Sequence, residues 1–186
     1  MIFCILGKMS CGKDTILKRL SHHPLLEPVV TMTTRGIRSN EKDGVDYHFV
    51  SEEEFFNTNF VEYTQFNGWY YGTPKNSIDL SKHRVIVVNP QGLRSFIDVF
   101  GLNNVVAFVI HRSDRDRAID YLKRDEKASV QEMVRRFEAD NKDFQDIFNL
   151  TGTNIYHMQN ETGKFVDCIT QIEKIIGGYI NESYNK

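Results

Sequence analysis

The stretch Gly7-Lys8-Met9-Ser10-Cys11-Gly12-Lys13-Asp14-Thr15 decides how this chain is read. It follows the apolar run Ile2-Phe3-Cys4-Ile5-Leu6 and precedes a helical-period segment carrying Ile16, Leu17 and Leu20. Strand, glycine loop and helix stand in the order that a phosphate-cradling loop requires. Gly7 and Gly12 let the backbone curl until successive N–H groups point at one anion. The positive end of the helix dipole and the Lys13 ammonium add to the same field. A nucleoside triphosphate is the ligand that fits, with residues 7–15 as its binding loop. Asp14 stands where such loops usually carry Ser or Thr, and Thr15 brings a hydroxyl one position later.

Further apolar runs, Arg84-Val85-Ile86-Val87-Val88 and Val105-Val106-Ala107-Phe108-Val109-Ile110, read as buried strands, and Asn154-Ile155-Tyr156-His157-Met158 as a more polar one. Helical patterns separate them at 92–100, 114–124 and 129–148. Ser129 with Glu132 opens the last of these as a capping box. A final helix carries Phe165, Val166, Ile169, Ile172, Ile175 and Ile176 and is expected to stop at Gly177-Gly178. Alternating strands and helices imply an α/β fold, a parallel sheet flanked by helices on both faces.

Residues 29–78 break that rhythm with short polar and aromatic runs, among them Asp46-Tyr47-His48-Phe49-Val50 and Phe60-Val61-Glu62-Tyr63-Thr64. Ser51 followed by Glu54 opens a short helix. A small, mostly antiparallel insertion over the loop end of the sheet is expected, placed to hold a second substrate. The organisation is then a core of residues 1–30 and 79–186 with an acceptor-binding insertion at 31–78. Trp69 is expected to pack within it.

The chain has 186 residues, 26% of them charged, and a net charge of −2, which gives no bulk attraction for nucleic acid or an anionic membrane. Cys4, Cys11 and Cys168 show no C-x-x-C spacing, which suits a reducing, cytoplasmic setting. The apolar run after Met1 is too short for a signal peptide or a membrane span. His22-His23-Pro24 closes the first helix, and adjacent histidines face different ways, so a metal site is not expected there. Cys11 reads as a small filler of the loop rather than a reactive thiol.

Three further segments narrow the reading. Thr33-Thr34-Arg35-Gly36-Ile37-Arg38 is followed by Asp43-Gly44-Val45-Asp46-Tyr47-His48-Phe49-Val50-Ser51. Then comes Phe60-Val61-Glu62-Tyr63-Thr64-Gln65-Phe66-Asn67-Gly68-Trp69-Tyr70-Tyr71-Gly72-Thr73. With the N-terminal loop, these resemble the guanylate kinase family in order and spacing over nearly the whole chain. The resemblance implies a parallel-sheet core, a small GMP-binding part and a mobile helical lid. It implies transfer of a phosphoryl group from ATP to GMP with Mg2+. The partners it implies are the small molecules ATP and GMP, for a monomer or homodimer.

The chemistry of these residues suits that reaction. Arg35 and Arg38, three apart, can both face a phosphate monoester and hold it with forked, charge-assisted hydrogen bonds. Tyr47 and Tyr71 match family positions whose phenols hold the same phosphate. Glu62 matches the position that reads the base, because a carboxylate accepts the adjacent N1–H and 2-amino donors of guanine, which adenine lacks. Thr31 and Thr73 match positions that supplement this contact. The lid falls at about 111–136, where eight Lys or Arg face six Asp or Glu. Such a run is also what a solvated helix face looks like. Arg136 fits the family pattern best there, with Arg124 and Arg135 as further catalytic candidates. Asn160 falls near the adenine position.

Two departures leave alternatives open. Asp14 replaces the hydroxyl that helps hold magnesium, and as a carboxylate it can itself be the ligand. Val87 and Asn89 stand where the family usually carries acids. Ribose 1,5-bisphosphate kinases share this fold, and the Gly12-Lys13-Asp14 loop ending and Asn89 resemble them. A deoxynucleoside monophosphate kinase and a non-catalytic guanylate-kinase-like binding module are the other readings.

Overall fold

The computed structural model describes residues 1–66, 68–124, 129–147, 152 and 154–184. Strand β1 (Ile2–Gly7) leads through the glycine loop into helix α1 (Lys13–Leu20) and the short strand β2 (Leu26–Pro28). Strands β3 (Met32–Thr33) and β4 (His48–Phe49), helix α2 (Glu52–Phe56), and the hairpin of β5 (Phe60–Phe66) and β6 (Trp69–Pro74) follow. Next come β7 (His83–Val87), α3 (Pro90–Phe100), β8 (Val105–His111), α4 (Asp114–Arg124), α5 (Val130–Asp143), β9 (Ile155–Gln159) and α6 (Phe165–Tyr184).

Strand β1 is buried at every position and lies mid-sheet, in the all-parallel order β2-β7-β1-β8-β9. Its unbroken apolar run follows from burial on both faces. Phe3 and Ile5 point to one face, where they meet Ile16 and Leu20 of α1 and Ile172 and Ile176 of α6. Ile2, Cys4 and Leu6 point to the other, against Leu93 and Phe96 of α3 and Phe144 and Ile147 beyond α5. Each such side chain contributes about 1.5–3 kcal/mol of burial. The parallel arrangement brings the carboxyl ends of β1, β7 and β8 to one rim, where the glycine loop begins.

The second sheet has the order β4-β3-β6-β5, antiparallel except for β3 with β4. It is held by aromatic packing. Phe55 of α2 is fully buried, 4.3 Å between ring centroids from Phe60 and 5.7 Å from Tyr70. Ser51 caps α2 by accepting the Glu54 N–H at 3.1 Å, as its sequence signal implies. Strand β5 lies against the first turn of α3, so this sheet overhangs the core rim. A Cβ built at Gly92 would lie 3.6 Å from Glu62 Cγ.

Several elements differ from the sequence reading. Strand β2 was not foreseen: three residues ending in proline carry little signal, and Pro28 is tolerated because β2 is the sheet edge. Helix α5 ends at Asp143 rather than running to 148, and Phe144 and Ile147 reach the core from the turns that follow. Phe148 and lid residues 125–128 lie outside the described residues. Only half of the expected capping box forms. Ser129 accepts the Glu132 N–H at 3.2 Å, but the Glu132 carboxylate engages Arg135 and Arg136 instead. Trp69 is 44% exposed rather than packed within the insertion. Among the described residues no helix is long and apolar enough to cross a membrane.

Helix α6 continues through Gly177-Gly178 to Tyr184, because Ile176 and Ile180 on either side are buried and hold it against the sheet. Neither glycine has positive φ, and a Cβ at either meets nothing within 4 Å. Gly177→Ala and Gly178→Ala should therefore each stabilise the fold by about 0.5–1 kcal/mol in denaturant unfolding. A loss of stability would mean that the helix stops at these glycines.

Candidate active site

The loop after β1 is shaped by two close approaches. A Cβ at Gly7 would lie 2.7 Å from the Ile110 carbonyl of β8 and also run into Cys11 Sγ. Gly12 has φ 96°, and a Cβ there would lie 2.6 Å from Asn160 Nδ2. That same amide donates to the Cys11 carbonyl at 2.8 Å, and Arg112 donates to the Asn160 carbonyl at 2.8 Å. Asn160 thus supports the loop from beneath. Cys11 is buried against Gly7, and burial pushes its thiol up despite the nearby Lys13 ammonium, as a filler requires. Lys13 Nζ lies folded over the loop and donates to the Lys8 carbonyl at 2.9 Å. Ser10, at φ 58°, holds a buried hydroxyl with no protein partner among the described residues, a donor available to an anion. Asp14 and Thr15 are exposed on the first turn of α1.

This loop forms one wall of a cleft of about 520 Å³. Gly7, Met9, Ser10, Gly12, Lys13, Asp14 and Thr15 line it on the core side. Thr31, Tyr47, Glu62 and Tyr71 line it from the insertion, and Arg124, Arg135 and Arg136 from the helices beyond. Residues as far apart as 7 and 136 in sequence therefore share one space. Lys8, Cys11, Arg35, Arg38, Thr73 and Asn160 are not among the lining residues.

Glu62 projects from β5, and Thr73 on the partner strand β6 donates its hydroxyl to Glu62 Oε1 at 2.6 Å. Thr73 is fully buried, so the carboxylate is fixed from behind while its face meets the cleft. Burial pushes the Glu62 carboxyl above the usual carboxylate range, and the Thr73 hydrogen bond pulls partly the other way. Tyr47 and Tyr71 meet edge to face, with ring centroids 6.0 Å apart. Arg35 lies behind them and donates to Glu41 Oε1 at 2.7 Å and to the Gly36 carbonyl at 2.7 Å. Arg38 extends into solvent, 69% exposed, and its N–H donates to Glu41 Oε2 at 2.9 Å. Glu41, absent from the sequence reading, thus ties the Arg35 side chain to the Arg38 backbone. Its signal was an acid three residues after Arg38 and six after Arg35.

On α5, Arg135 and Arg136 both pair with Glu132 at 2.7 Å, and they hold its carboxyl down at about 2. The guanidinium groups also lie over the ring of Phe66, at 5.9 and 5.4 Å from its centroid. Phe66 closes the insertion hairpin and was likewise missed, since a single aromatic residue at a turn gives no sequence signal of its partner. Val87 and Asn89 line the rim. Asn89 N-caps α3 by accepting the Gly92 N–H at 2.6 Å, so the residue found in place of an acid does structural work.

Comparison with known proteins places this geometry. A family model described as guanylate kinase matches residues 2–166. The chain belongs to the guanylate kinase family. A guanylate kinase of Clostridium perfringens (strain SM101) is 29% identical over 185 residues, covering 95% of this chain and 82% of that relative. Guanylate kinase 2, chloroplastic/mitochondrial, of Oryza sativa subsp. japonica is 30% identical over 185 residues, covering 95% of this chain and 63% of its own length. Among solved structures, a guanylate kinase from Anaplasma phagocytophilum superposes with a TM-score of 0.66 at 21% identity, over 96% of this chain and 85% of that one. That likeness supports the family's fold, a parallel core with a second small sheet.

Burial of Glu62 has a consequence for stability. Its carboxyl titrates higher in the folded chain than in the unfolded one, so the fold favours the protonated form. Below about pH 4 both states are protonated and the group costs nothing; as pH rises through the folded-state value, its ionisation costs stability. Glu62→Gln should raise the thermal midpoint at pH 8 and leave it nearly unchanged at pH 4. A midpoint gain independent of pH would contradict this placement of the carboxylate.

Proposed function

We propose that this member of the guanylate kinase family transfers the γ-phosphoryl group of ATP to GMP or dGMP, with residues 1–30 and 79–186 as the donor-binding core and 31–78 as the acceptor part. The observation that carries the proposal is the Glu62–Thr73 pair facing the Lys13 loop across one cleft. With Oε1 anchored by Thr73, the carboxylate is set to accept the paired N1–H and 2-amino donors of guanine. Adenine offers no donors there and would leave a half-buried carboxylate unpaired, a discrimination of roughly 10⁴-fold or more.

At the donor end, loop N–H groups, the Ser10 hydroxyl and Lys13 hold the β- and γ-phosphates, with Gly7, Lys8, Met9 and Cys11 shaping the loop around them. Asn160 acts from beneath. Asp14 is the proposed magnesium ligand. The donor set fits: Asp14 is an exposed carboxylate that lines the cleft on the first turn after the loop, and a carboxylate beside substrate phosphates is a usual setting for Mg2+. Held there with ATP, magnesium would supply charge neutralisation to the donor phosphates.

At the acceptor end, Arg35, Arg38, Tyr47 and Tyr71 hold the GMP phosphate, while Thr31 supplements the base contact. An acceptor phosphate oxygen bonds to the γ-phosphorus as the bond from that phosphorus to the bridging oxygen breaks, and ADP leaves with the electron pair. No side-chain nucleophile is required; the protein positions the groups and spreads the charge. Arg136, with Arg124 and Arg135, supplies positive charge from the lid side. For that, Arg135 and Arg136 exchange Glu132 for phosphate oxygens.

Base reading by Glu62 is tested by comparing GMP and AMP turnover in the wild type and Glu62→Gln. The expected result is a fall in kcat/KM for GMP of about 10²-fold or more, with KM for ATP within about twofold. Unchanged preference for GMP would place base recognition elsewhere.

A further inference from the structure

Arg117, on the first turn of α4, has no exposed surface. A guanidinium is rarely so placed unless every donor is satisfied. Its Nε donates to the Met9 carbonyl at 2.8 Å, and one terminal nitrogen to Asp114 Oδ1 at 2.5 Å. The other terminal nitrogen donates to Asp140 Oδ2, on the last turn of α5. The group also lies over the Phe137 ring, 4.2 Å from its centroid. The same Asp140 oxygen accepts the Met9 N–H at 2.8 Å. Both polar groups of Met9 are therefore held from outside the loop, one by α4 and the other by α5.

The loop needs such support. Ser10, next along, sits at φ 58°, a conformation that a residue with a side chain rarely adopts. Beside it, Lys8 Nζ donates to Asn141 Oδ1 of α5 at 2.6 Å. The clamp grips α4 seven residues before Arg124, and α5 four residues after Arg136. It pins one end of both helices to the phosphate loop, while the cleft-lining arginines lie further along them.

Resting on the reading of residues 7–15 as the ATP loop, we propose that Arg117 and Asp140 are positioning residues for phosphoryl transfer. Acting through Met9, they set the shape of the loop and register the lid helices against it. Arginine is required because one planar fork must meet acceptors on three segments; the point charge of lysine cannot.

The test is steady-state kinetics with ATP and GMP on the double variant Arg117→Leu/Asp140→Leu, alongside Arg117→Lys. Exchanging a buried ion pair for apolar residues commonly preserves folding, so the double variant separates positioning from stability. The clamp predicts a rise in KM for ATP of roughly tenfold or more, a lower kcat, and KM for GMP within about twofold. Arg117→Lys should show the same pattern rather than rescue. It carries the test alone if the double variant does not fold.

Wild-type ATP kinetics in a folded double variant, or in Arg117→Lys, would overturn the clamp, as would a loss of stability with the ATP KM unchanged. A wild-type protein that turns over no nucleotide would overturn the loop reading and the clamp together. An active wild type with unaffected variants removes the clamp only.

Discussion

The closeness with which the chain after β1 approaches its neighbours governs the rest of the site. With no room for a side chain at Gly7 against Ile110, or at Gly12 against Asn160, the loop lies directly on the rim formed by β8 and the segment after β9. That contact aims α1, sets Lys13 over the loop, and faces the whole toward the second sheet. The anion field of a helix N-terminus is useful only if the backbone can curl tightly enough to focus it. Here the curl is fixed by packing below and by side chains of α4 and α5 at the outer edge.

Across the cleft the design is different. The second sheet has few long strands and depends on a cluster of aromatic rings around Phe55, with hydroxyls and acids set into it. Glu62 shows the cost of burial: a carboxylate set beside one hydroxyl opposes its own ionisation, and in the proposed reaction only the ionised form could accept both guanine donors. Glu41 and Glu132 do the reverse. Each accepts from two arginines and is held charged by them, Glu41 from the Arg35 side chain and the Arg38 N–H, Glu132 from the Arg135 and Arg136 side chains.

Much of this was legible in the chain. The core strands were plain because burial on both faces leaves no polar residue to interrupt them, and the loop because two glycines and a lysine bridge strand and helix. The Thr33–Arg38 run and the Glu62 to Thr73 segment carried the family resemblance, which the family model over residues 2–166 bears out. What was lost depended on distance. Arg117 and Asp140 meet Met9 from more than 100 residues away, and in sequence Arg117 is one charge in a mixed run that reads as a wet helix face. The hydrogen bond that the Asn160 side chain gives the Cys11 carbonyl, 149 residues away, likewise had no sequence signal. Strand β2 was too short to show a period, and Gly177-Gly178 gave a stop signal that packing of Ile176 and Ile180 overrides.

The departures at Asp14, Val87 and Asn89 bear on which acceptor is used, since the same fold serves sugar phosphates and nucleotides. The most direct measurement is ADP release from ATP and Mg2+ with GMP, dGMP, AMP, UMP, CMP, dTMP and ribose 1,5-bisphosphate as acceptors. Turnover confined to GMP and dGMP is the predicted result. Turnover with ribose 1,5-bisphosphate alone, or GMP binding without turnover of any acceptor, would contradict the account.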